Sequence, residues 1–278
     1  MKAEQLLKLG DLEGALASLQ EDIRKTPTDI RLRVFLFQLL CILGRWERAI
    51  IQLKACATLD PYMSEMAHMY RTAIICEIHR EKVFRSEQQP LVFGEPAEWI
   101  ASMIEALRLQ VDGNHRAARD LRERAFDAAS TVSGTLNASG FSWVADADPR
   151  LGPLLEIIVN GRYFWAPFTA FSRITMHPPA DLRDKVWMPA TVTWSNSGEA
   201  VVLIPTRYAG TNDAAGNQHR LAQATDWLDA GTDITAGVGQ RVLATDSEDC
   251  ALMDLRELTI GGAEKIAGHA ETAIAYHG

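Results

Sequence analysis

The chain has 278 residues, of which 47% are hydrophobic and 23% are charged. That length suits one large domain or two ordinary ones, and the composition is too apolar for a disordered chain. The formal net charge of −8 disfavours binding to nucleic acid and to anionic lipid surfaces.

Neither a membrane anchor nor a secreted scaffold is indicated. No stretch approaches the roughly 20 consecutive apolar residues of a membrane helix, and the N-terminus lacks the basic and apolar regions of a signal peptide. We therefore expect a cytoplasmic protein. The four cysteines lack C-x-x-C spacing, which favours free, buried thiols over a disulfide or a zinc site: Cys41, Cys56, Cys76 and Cys250.

A period of 34 residues organises the first third of the chain. It separates pairs of identical residues: Gly10 and Gly44, Ala15 and Ala49, Leu19 and Leu53, Pro27 and Pro61. This is the period of tetratricopeptide repeats, which are built from paired helices. In such a pair glycine permits the tight reversal, alanine the close approach of the helices, and proline ends the second helix.

The helical pattern continues beyond the second repeat. Residues 64–84 are predicted to form one amphipathic helix and residues 85–96 a connecting loop. Residues 99–109 and 116–129 flank a glycine turn and predict another helical pair. We therefore assign residues 1–133 to a tetratricopeptide-like domain of about three and a half units.

Stacked repeats leave a concave face, lined by the first helix of each pair, that binds peptides and helices. The repeat register places five candidate partner-binding residues on that face: Arg31, Val34, Gln38, His68 and Thr72. The alternative for each is a solvated surface residue, because a one-residue error in register rotates the assignment by about 100°.

A different pattern begins near Gly134. Residues 134–278 are rich in β-branched and aromatic segments and are assigned to a small α+β domain with a mainly antiparallel sheet. The complete fold prediction is thus an α+β, two-domain chain. The elements predicted in the second domain are helices at 151–160 and 217–228 and strands at 186–195, 199–205 and 238–244, with a hairpin turn at 196–198.

Chemistry is weakly indicated. Asp146 and Asp148, with Glu156 nearby, form an acidic cluster suited to a divalent cation or to acid–base work, although loop capping is the favoured interpretation. No nucleophile, base and orienting group occur together. We therefore predict no enzymatic activity, no metal and no cofactor. The competing hypothesis is an enzyme with its active site around Asp146, Asp148, Arg162 and His177.

Four segments of the chain resemble the ImpE family, also called TagJ, an accessory component of bacterial type VI secretion systems. They occur in the family's order, and the resemblance covers nearly the whole length, although the tail after Gly261 shows no match. The segments are ADADPRLGP at 145–153, VNGRY at 159–163, DLRDKVW at 181–187 and LIPTRY at 203–208.

The resemblance implies a cytoplasmic, non-enzymatic protein that binds TssB, the small subunit of the contractile sheath, through the N-terminal helix of that subunit. It also implies an influence on sheath assembly or on disassembly by the unfoldase ClpV. A repeat groove agrees with a helix-in-groove contact, but the resemblance assigns no residue-level binding site. A scaffold for another secretion component, such as ClpV itself, is the remaining alternative.

Overall fold

The computed structural model describes residues 2–95, 97–213, 216–229, 231 and 235–261. Within these residues the chain forms eight α-helices, none of them long and apolar enough to cross a membrane. The helices are α1 (Lys2–Lys8), α2 (Leu12–Lys25), α3 (Ile30–Ile42), α4 (Trp46–Leu59), α5 (Ser64–Phe84), α6 (Glu98–Val111), α7 (His115–Ala128) and α8 (Asn217–Arg220).

Glycine turns join the helices in pairs. Gly10 separates α1 from α2, Gly44 separates α3 from α4, and Gly113 separates α6 from α7, with φ angles of +76°, +66° and +81°. Side chains are disfavoured at such angles, so glycine permits the reversal. The single helix predicted at 64–84 is confirmed by α5. The assignment of the pairs to tetratricopeptide repeats stays a prediction.

The described residues also include fourteen β-strands. They are β1 (Leu91–Val92), β2 (Gly134–Leu136), β3 (Ser139–Phe141), β4 (Val144–Asp146), β5 (Leu154–Val159), β6 (Arg162–Pro167), β7 (Phe171–Thr175), β8 (Trp187–Trp194), β9 (Glu199–Pro205), β10 (Thr225–Asp229), β11 (Thr235–Gly239), β12 (Val242–Thr245), β13 (Asp249–Ala251) and β14 (Glu257–Ile260).

Nine strands form one large sheet in the order β1-β6-β5-β9-β8-β7-β14-β2-β3. Every neighbouring pair is antiparallel except β1 and β6, which confirms the mainly antiparallel sheet and the α+β class. The predicted hairpin is confirmed by β8 and β9, whose turn contains Ser197 at a φ of +69°. Two smaller antiparallel sheets have the orders β13-β12-β4 and β10-β11.

Three predictions for the second half of the chain were wrong. The helix predicted at 151–160 is strand β5, whose six residues are all buried; a fully buried strand is a continuous apolar run without the alternation that marks a strand. The helix predicted at 217–228 ends at Arg220 and is followed by β10. The strand predicted at 238–244 is two strands, β11 and β12, separated by Gln240 and Arg241.

Two apolar clusters lie on opposite faces of the large sheet. In β9 the side chain of Leu203 joins the cluster shared with the helices, whereas those of Val202 and Ile204 join the cluster on the other face. The first cluster includes Leu36 of α3 and Trp187 of β8. Helices and sheet therefore share a core, and this contact positions the grooves described next.

Candidate partner-binding grooves

The first groove, which we name the helical groove, lies between α1 and α3. Its volume is about 450 Å³, and it is lined by Glu4, Leu7, Asp29, Arg31, Leu32 and Phe35. Asp29 begins α3, because its carboxylate accepts the amide hydrogen of Arg31 at 2.9 Å. The side chain of Arg31 is 93% exposed. The groove thus combines apolar side chains with charges of both signs.

The second groove, which we name the sheet groove, lies between α5 and strands β5 and β9. Its volume is about 480 Å³, and its lining residues are His68, Met69, Thr72, Ala73, Ile158, Asn160, Gly161, Val201, Val202 and Leu203. Val201 is 72% exposed and Met69 is 45% exposed. Apolar surface is therefore open to solvent along this groove.

The β5–β6 turn contacts α5 closely at one side of the sheet groove. Gly161 has a φ of +71°, and a Cβ atom there would lie 2.8 Å from the Thr72 methyl carbon. The Cys76 thiol donates to the Gly161 carbonyl at 3.3 Å. Glycine is needed at this turn both for its backbone angle and for the approach of the helix.

The five candidate residues of the predicted concave face do not form one site. Arg31 lines the helical groove, whereas His68 and Thr72 line the sheet groove. Val34 is half-buried and packs against the core, and Gln38 is 6% exposed. Two separate grooves therefore contain three of the candidates.

A buried ion-pair cluster, which we name the junction network, fixes α5 on the sheet. Arg80 donates to Glu156 of β5 from Nε at 2.6 Å and from Nη2 at 2.8 Å, and from Nη1 to Glu77 at 2.8 Å. Arg241 donates to both Glu156 and Asp146. The five side chains are at most 6% exposed. Paired guanidinium and carboxylate groups define one orientation, so the network sets the wall of the sheet groove.

Burial and the neighbouring charges shift the pKa values of two carboxylates in the junction network in opposite directions. Burial acts to raise the pKa of Glu156, but the positive charges of Arg80 and Arg241 outweigh it and lower that pKa to about 2. Burial raises the pKa of Asp146 to about 6, because the attraction of Arg241 does not offset it. The negative charges of Asp148 and Glu156 act on Asp146 in the same direction as burial.

Aromatic side chains extend the contact between the helices and the sheet. The ring of Trp187 lies 6.0 Å from that of Trp46 and 6.2 Å from that of Tyr70, measured between centroids. The indole nitrogen of Trp187 donates to Glu77 at 3.1 Å, and that of Trp46 donates to Glu81 at 2.9 Å. Each indole N–H therefore has a partner, as a buried tryptophan requires.

Arg207 connects the end of α3 to the strand end after β9. It is 4% exposed, and its Nη1 donates to the carbonyls of Ile42 at 3.0 Å and Arg220 at 2.8 Å. These residues end α3 and α8, where helix carbonyls lack partners and carry the negative end of the helix dipole. Burial lowers the pKa of Arg207 to about 10, so the side chain remains a cation at neutral pH.

The residues of the enzyme hypothesis have different surroundings. Asp146 accepts the amide hydrogen of Asp148 at 2.9 Å, and Asp148 accepts that of Arg150 at 2.9 Å and also pairs with its guanidinium. The predicted capping role of the two aspartates is thereby confirmed, and both are buried. Arg162 and His177 are exposed. The carboxylates are thus engaged with arginine, and the exposed pair lies outside the junction network.

The four cysteines are free and buried, as predicted. Burial raises the pKa of Cys76 to about 11 and that of Cys250 to about 11. A thiol with a raised pKa is a poor nucleophile at neutral pH. Within the described ranges, no three His, Cys, Asp or Glu side chains are placed to hold a metal ion.

Four buried charged residues were not predicted from the sequence to have a role: Glu77, Arg80, Arg207 and Arg241. One signal was available: Glu77 and Arg80 continue the spacing of Tyr70 and Ala73 along the buried side of α5. Charged residues on an apolar helical stripe indicate a buried ion pair. Their partners lie far along the chain, so the sequence did not indicate what they bind.

Comparisons with known proteins give a consistent result. A family model described as ImpE protein matches residues 138–259. The Pseudomonas aeruginosa protein named type VI secretion system accessory component TagJ is 48% identical over 258 residues, covering 93% of this chain and 90% of the relative. A crystal structure of a Vibrio parahaemolyticus protein superposes with a TM-score of 0.84 at 25% identity, covering 94% of this chain and 97% of the other.

Proposed function

The chain belongs to the ImpE family, which includes the type VI secretion accessory component TagJ, and from that membership we propose that it is a non-catalytic adaptor of such a secretion system. Its partner in this proposal is the N-terminal helix of the sheath subunit TssB. Through that contact the adaptor influences sheath assembly or disassembly by ClpV in the cytoplasm. Residues 1–133 act as a tetratricopeptide-like repeat domain and residues 134–278 as an α+β domain.

The observation that carries the proposal is the pair of open grooves beside the helices. An amphipathic helix binds by placing its apolar side in a groove and its charged side at the rim. The helical groove offers Leu7, Leu32 and Phe35 to the apolar side and Asp29 and Arg31 to the charged side. These groups are complementary to a helix that carries both signs of charge.

The sheet groove supports the same proposal with a more apolar surface. Met69 and Val201 are the exposed apolar residues there, and His68 and Thr72 supply polar contacts from α5. Because the junction network fixes α5, this groove is preformed and a partner helix has little ordering to impose on it.

The proposal includes the absence of catalysis, and it is supported by the hydrogen bonds of the two aspartates that were the strongest candidates for acid–base work. Asp146 and Asp148 accept hydrogen bonds from arginine side chains and backbone amides inside the protein. A general base must reach a substrate proton, and these buried groups face protein donors instead.

A binding experiment tests the adaptor proposal directly. Full-length protein is immobilised and incubated with TssB or with TssB that lacks its first helix. We expect capture of intact TssB and loss of capture without the helix. Equal capture of the two forms would overturn the assignment of the helix as the partner.

Charge and polarity changes then identify the groove. Arg31→Glu alters the helical groove and Val201→Asp alters the sheet groove, and both side chains are largely exposed. The matched controls are Arg48→Glu and Ile51→Asp on α4, outside both groove linings. We expect a loss of at least about tenfold in affinity, equivalent to about 1.4 kcal/mol, for one groove variant and little change for the controls. Unchanged affinity in both groove variants would exclude these grooves.

A further inference from the structure

Strand β10 has an exposed outer edge. Within the described part of the chain it pairs with β11 and with no other strand. Four of its five residues are exposed, and two of them are large and apolar: Trp227 is 41% exposed and Leu228 is 50% exposed. Unpaired strand edges are sites where another chain can add, and proteins usually protect them.

The hydrogen-bond pattern shows which groups of β10 face outward. In antiparallel pairs, opposed residues alternate between those that exchange backbone hydrogen bonds and those that do not. The Gln240 amide donates to the opposed Ala224 carbonyl at 3.0 Å, so that pair is hydrogen-bonded. The pair of Trp227 with Gly237 lies three positions further along, and by the alternation it is a pair without hydrogen bonds between its members. Accordingly the Gly237 amide turns away from β10 and donates to Asp148 at 2.9 Å. The backbone groups of Trp227 therefore point away from β11.

By the same alternation, the backbone groups of Thr225 and Asp229, which lie opposite Gly239 and Thr235, also point away from β11. Among the described residues, no backbone partner lies on this edge of β10. Three N–H and three C=O groups thus form a row along the strand. Trp227 is held in place on one face, because its ring lies 5.7 Å from that of Tyr208.

The charges beside this row are acidic. The Asp226 side chain is 64% exposed and pairs with His219 at 2.8 Å. Asp229 is exposed at the end of the strand, where its carboxylate accepts the Gly231 amide hydrogen at 2.8 Å. Opposite charges on adjacent strands stabilise a sheet, whereas like charges destabilise it.

We propose that β10 is a docking strand, to which an extended segment of another protein adds through backbone hydrogen bonds. The segment carries basic side chains that flank β-branched ones: the basic groups pair with Asp226 and Asp229, and the apolar ones cover Trp227 and Leu228. A second copy of β10 fits less well, because self-pairing would bring four carboxylates together along one short edge. This surface includes neither groove of the proposed function and stands independently of it.

The test uses the full-length protein and a capped peptide of sequence RVVKT, whose antiparallel addition places arginine and lysine opposite Asp229 and Asp226 and the two valines opposite Leu228 and Trp227. Amide exchange is followed by NMR with and without the peptide. We expect the amides of Thr225, Trp227 and Asp229 to exchange at least about tenfold more slowly at saturation, because they gain hydrogen-bond partners. The amides of Asp226 and Leu228, which already donate to β11, should change little. Absence of the alternating protection would overturn the proposal.

Two modified peptides separate strand addition from charge attraction alone. N-methylation of alternate residues removes the donors that would face β10, and replacement of both basic residues by glutamate reverses the charge. Each change should weaken binding by at least about tenfold. Equal binding of the N-methylated peptide would overturn strand pairing, and equal binding of the acidic peptide would overturn the chemistry assigned to the partner.

Protein variants complete the test. Trp227→Pro removes an outward N–H and spares the bonds to β11, so it should abolish peptide binding, whereas Trp227→Val retains the donor and should bind. If Trp227→Pro does not fold, the N-methylated peptide decides the question on the unmodified chain. A dimer in light scattering that already protects these three amides without peptide would replace the proposed partner by a second copy.

Discussion

Replacement of Arg80 by methionine tests whether the junction network holds α5 on the sheet. The change removes two hydrogen bonds to Glu156, one to Glu77 and one to the carbonyl of Arg207. Glu156 then remains at 0% side-chain exposure with one guanidinium, Arg241, instead of two. Removal of one partner from a buried ion pair leaves an uncompensated charge and costs about 3–5 kcal/mol. We expect the free energy of unfolding to fall by that amount.

Arg85 provides the matched control at the end of the same helix. Its ion pair with Glu87 has the same 2.8 Å separation as that between Arg80 and Glu77, but its two side chains are 53% and 52% exposed. Exposed ion pairs contribute about 0.2–1 kcal/mol, so Arg85→Met should cost less than about 1 kcal/mol. Urea unfolding monitored by circular dichroism measures both variants. Equal losses would refute the reasoning.

Arg80→Lys separates charge from geometry. Lysine keeps the positive charge but lacks the planar fork that reaches both oxygens of Glu156. We expect a stability between those of the native protein and Arg80→Met. If Arg80→Met does not fold, the comparison of Arg80→Lys with Arg85→Lys carries the test, and equal stabilities would contradict a role for the fork.

Three further changes probe other contacts. The pKa of Asp146 is about 6 in the folded protein against a reference of 3.8. Protonated Asp146 therefore stabilises the fold fully below pH 3.8, and this stabilisation is lost as the pH rises through 6. Asp146→Asn should remove this pH dependence, which amounts to up to about 3 kcal/mol, from urea unfolding curves measured between pH 4 and 7, and an unchanged pH dependence would contradict the prediction. Arg207→Met should lower the free energy of unfolding by about 2–3 kcal/mol, because it removes the hydrogen bonds to the carbonyls of Ile42 and Arg220. Amide exchange at the end of α3 should become faster, and unaltered exchange there would contradict the prediction. Gly161→Ala should lower the free energy of unfolding by about 1–2 kcal/mol and lower the Tm, because a Cβ atom would lie 2.8 Å from Thr72. The control is Gly140→Ala, whose Cβ atom would meet nothing within 4 Å. Equal Tm values for the two variants would contradict the predicted strain at Gly161.

Local signals account for the parts of the fold that were predicted correctly. Gly44 and Gly113 mark helix reversals because the need for a positive φ is a property of the turn itself. The turn at 196–198 is likewise decided by nearby residues, and the hairpin follows from it. Such features do not depend on which distant segment packs against them.

The prediction failed where distant contacts decide the structure. Residues 154–159 carry apolar side chains on both faces, with Glu156 the one charged residue, and their burial between two cores makes them a strand. Glu77 and Arg80 lie on the buried stripe of α5, but the groups that accept hydrogen bonds from Arg80, Glu156 and the Arg207 carbonyl, are 76 and 127 positions away. A single sequence does not reveal which segments meet at such separations.

The repeat register and the linings of the two grooves have three residues in common, Arg31, His68 and Thr72. Arg31 was placed on the concave face by the repeat register, and it lines the helical groove. Gln38 was assigned by repeat register alone and is 6% exposed. Val201, which forms part of the sheet groove, lies 129 positions beyond Thr72 on the opposite wall, so no repeat pattern contains it.

The four segments that carry the family resemblance contribute to the contact between helices and sheet more than to the grooves. Asp146 binds Arg241, Tyr163 donates to Glu156, Trp187 donates to Glu77, and Arg207 caps α3. These bonds fix the helices that form one side of each groove. These segments thus build the contact between helices and sheet, and most of the groove side chains lie outside them. The groove variants change Arg31 and Val201, which lie outside all four segments, so they test partner binding while leaving this framework unchanged.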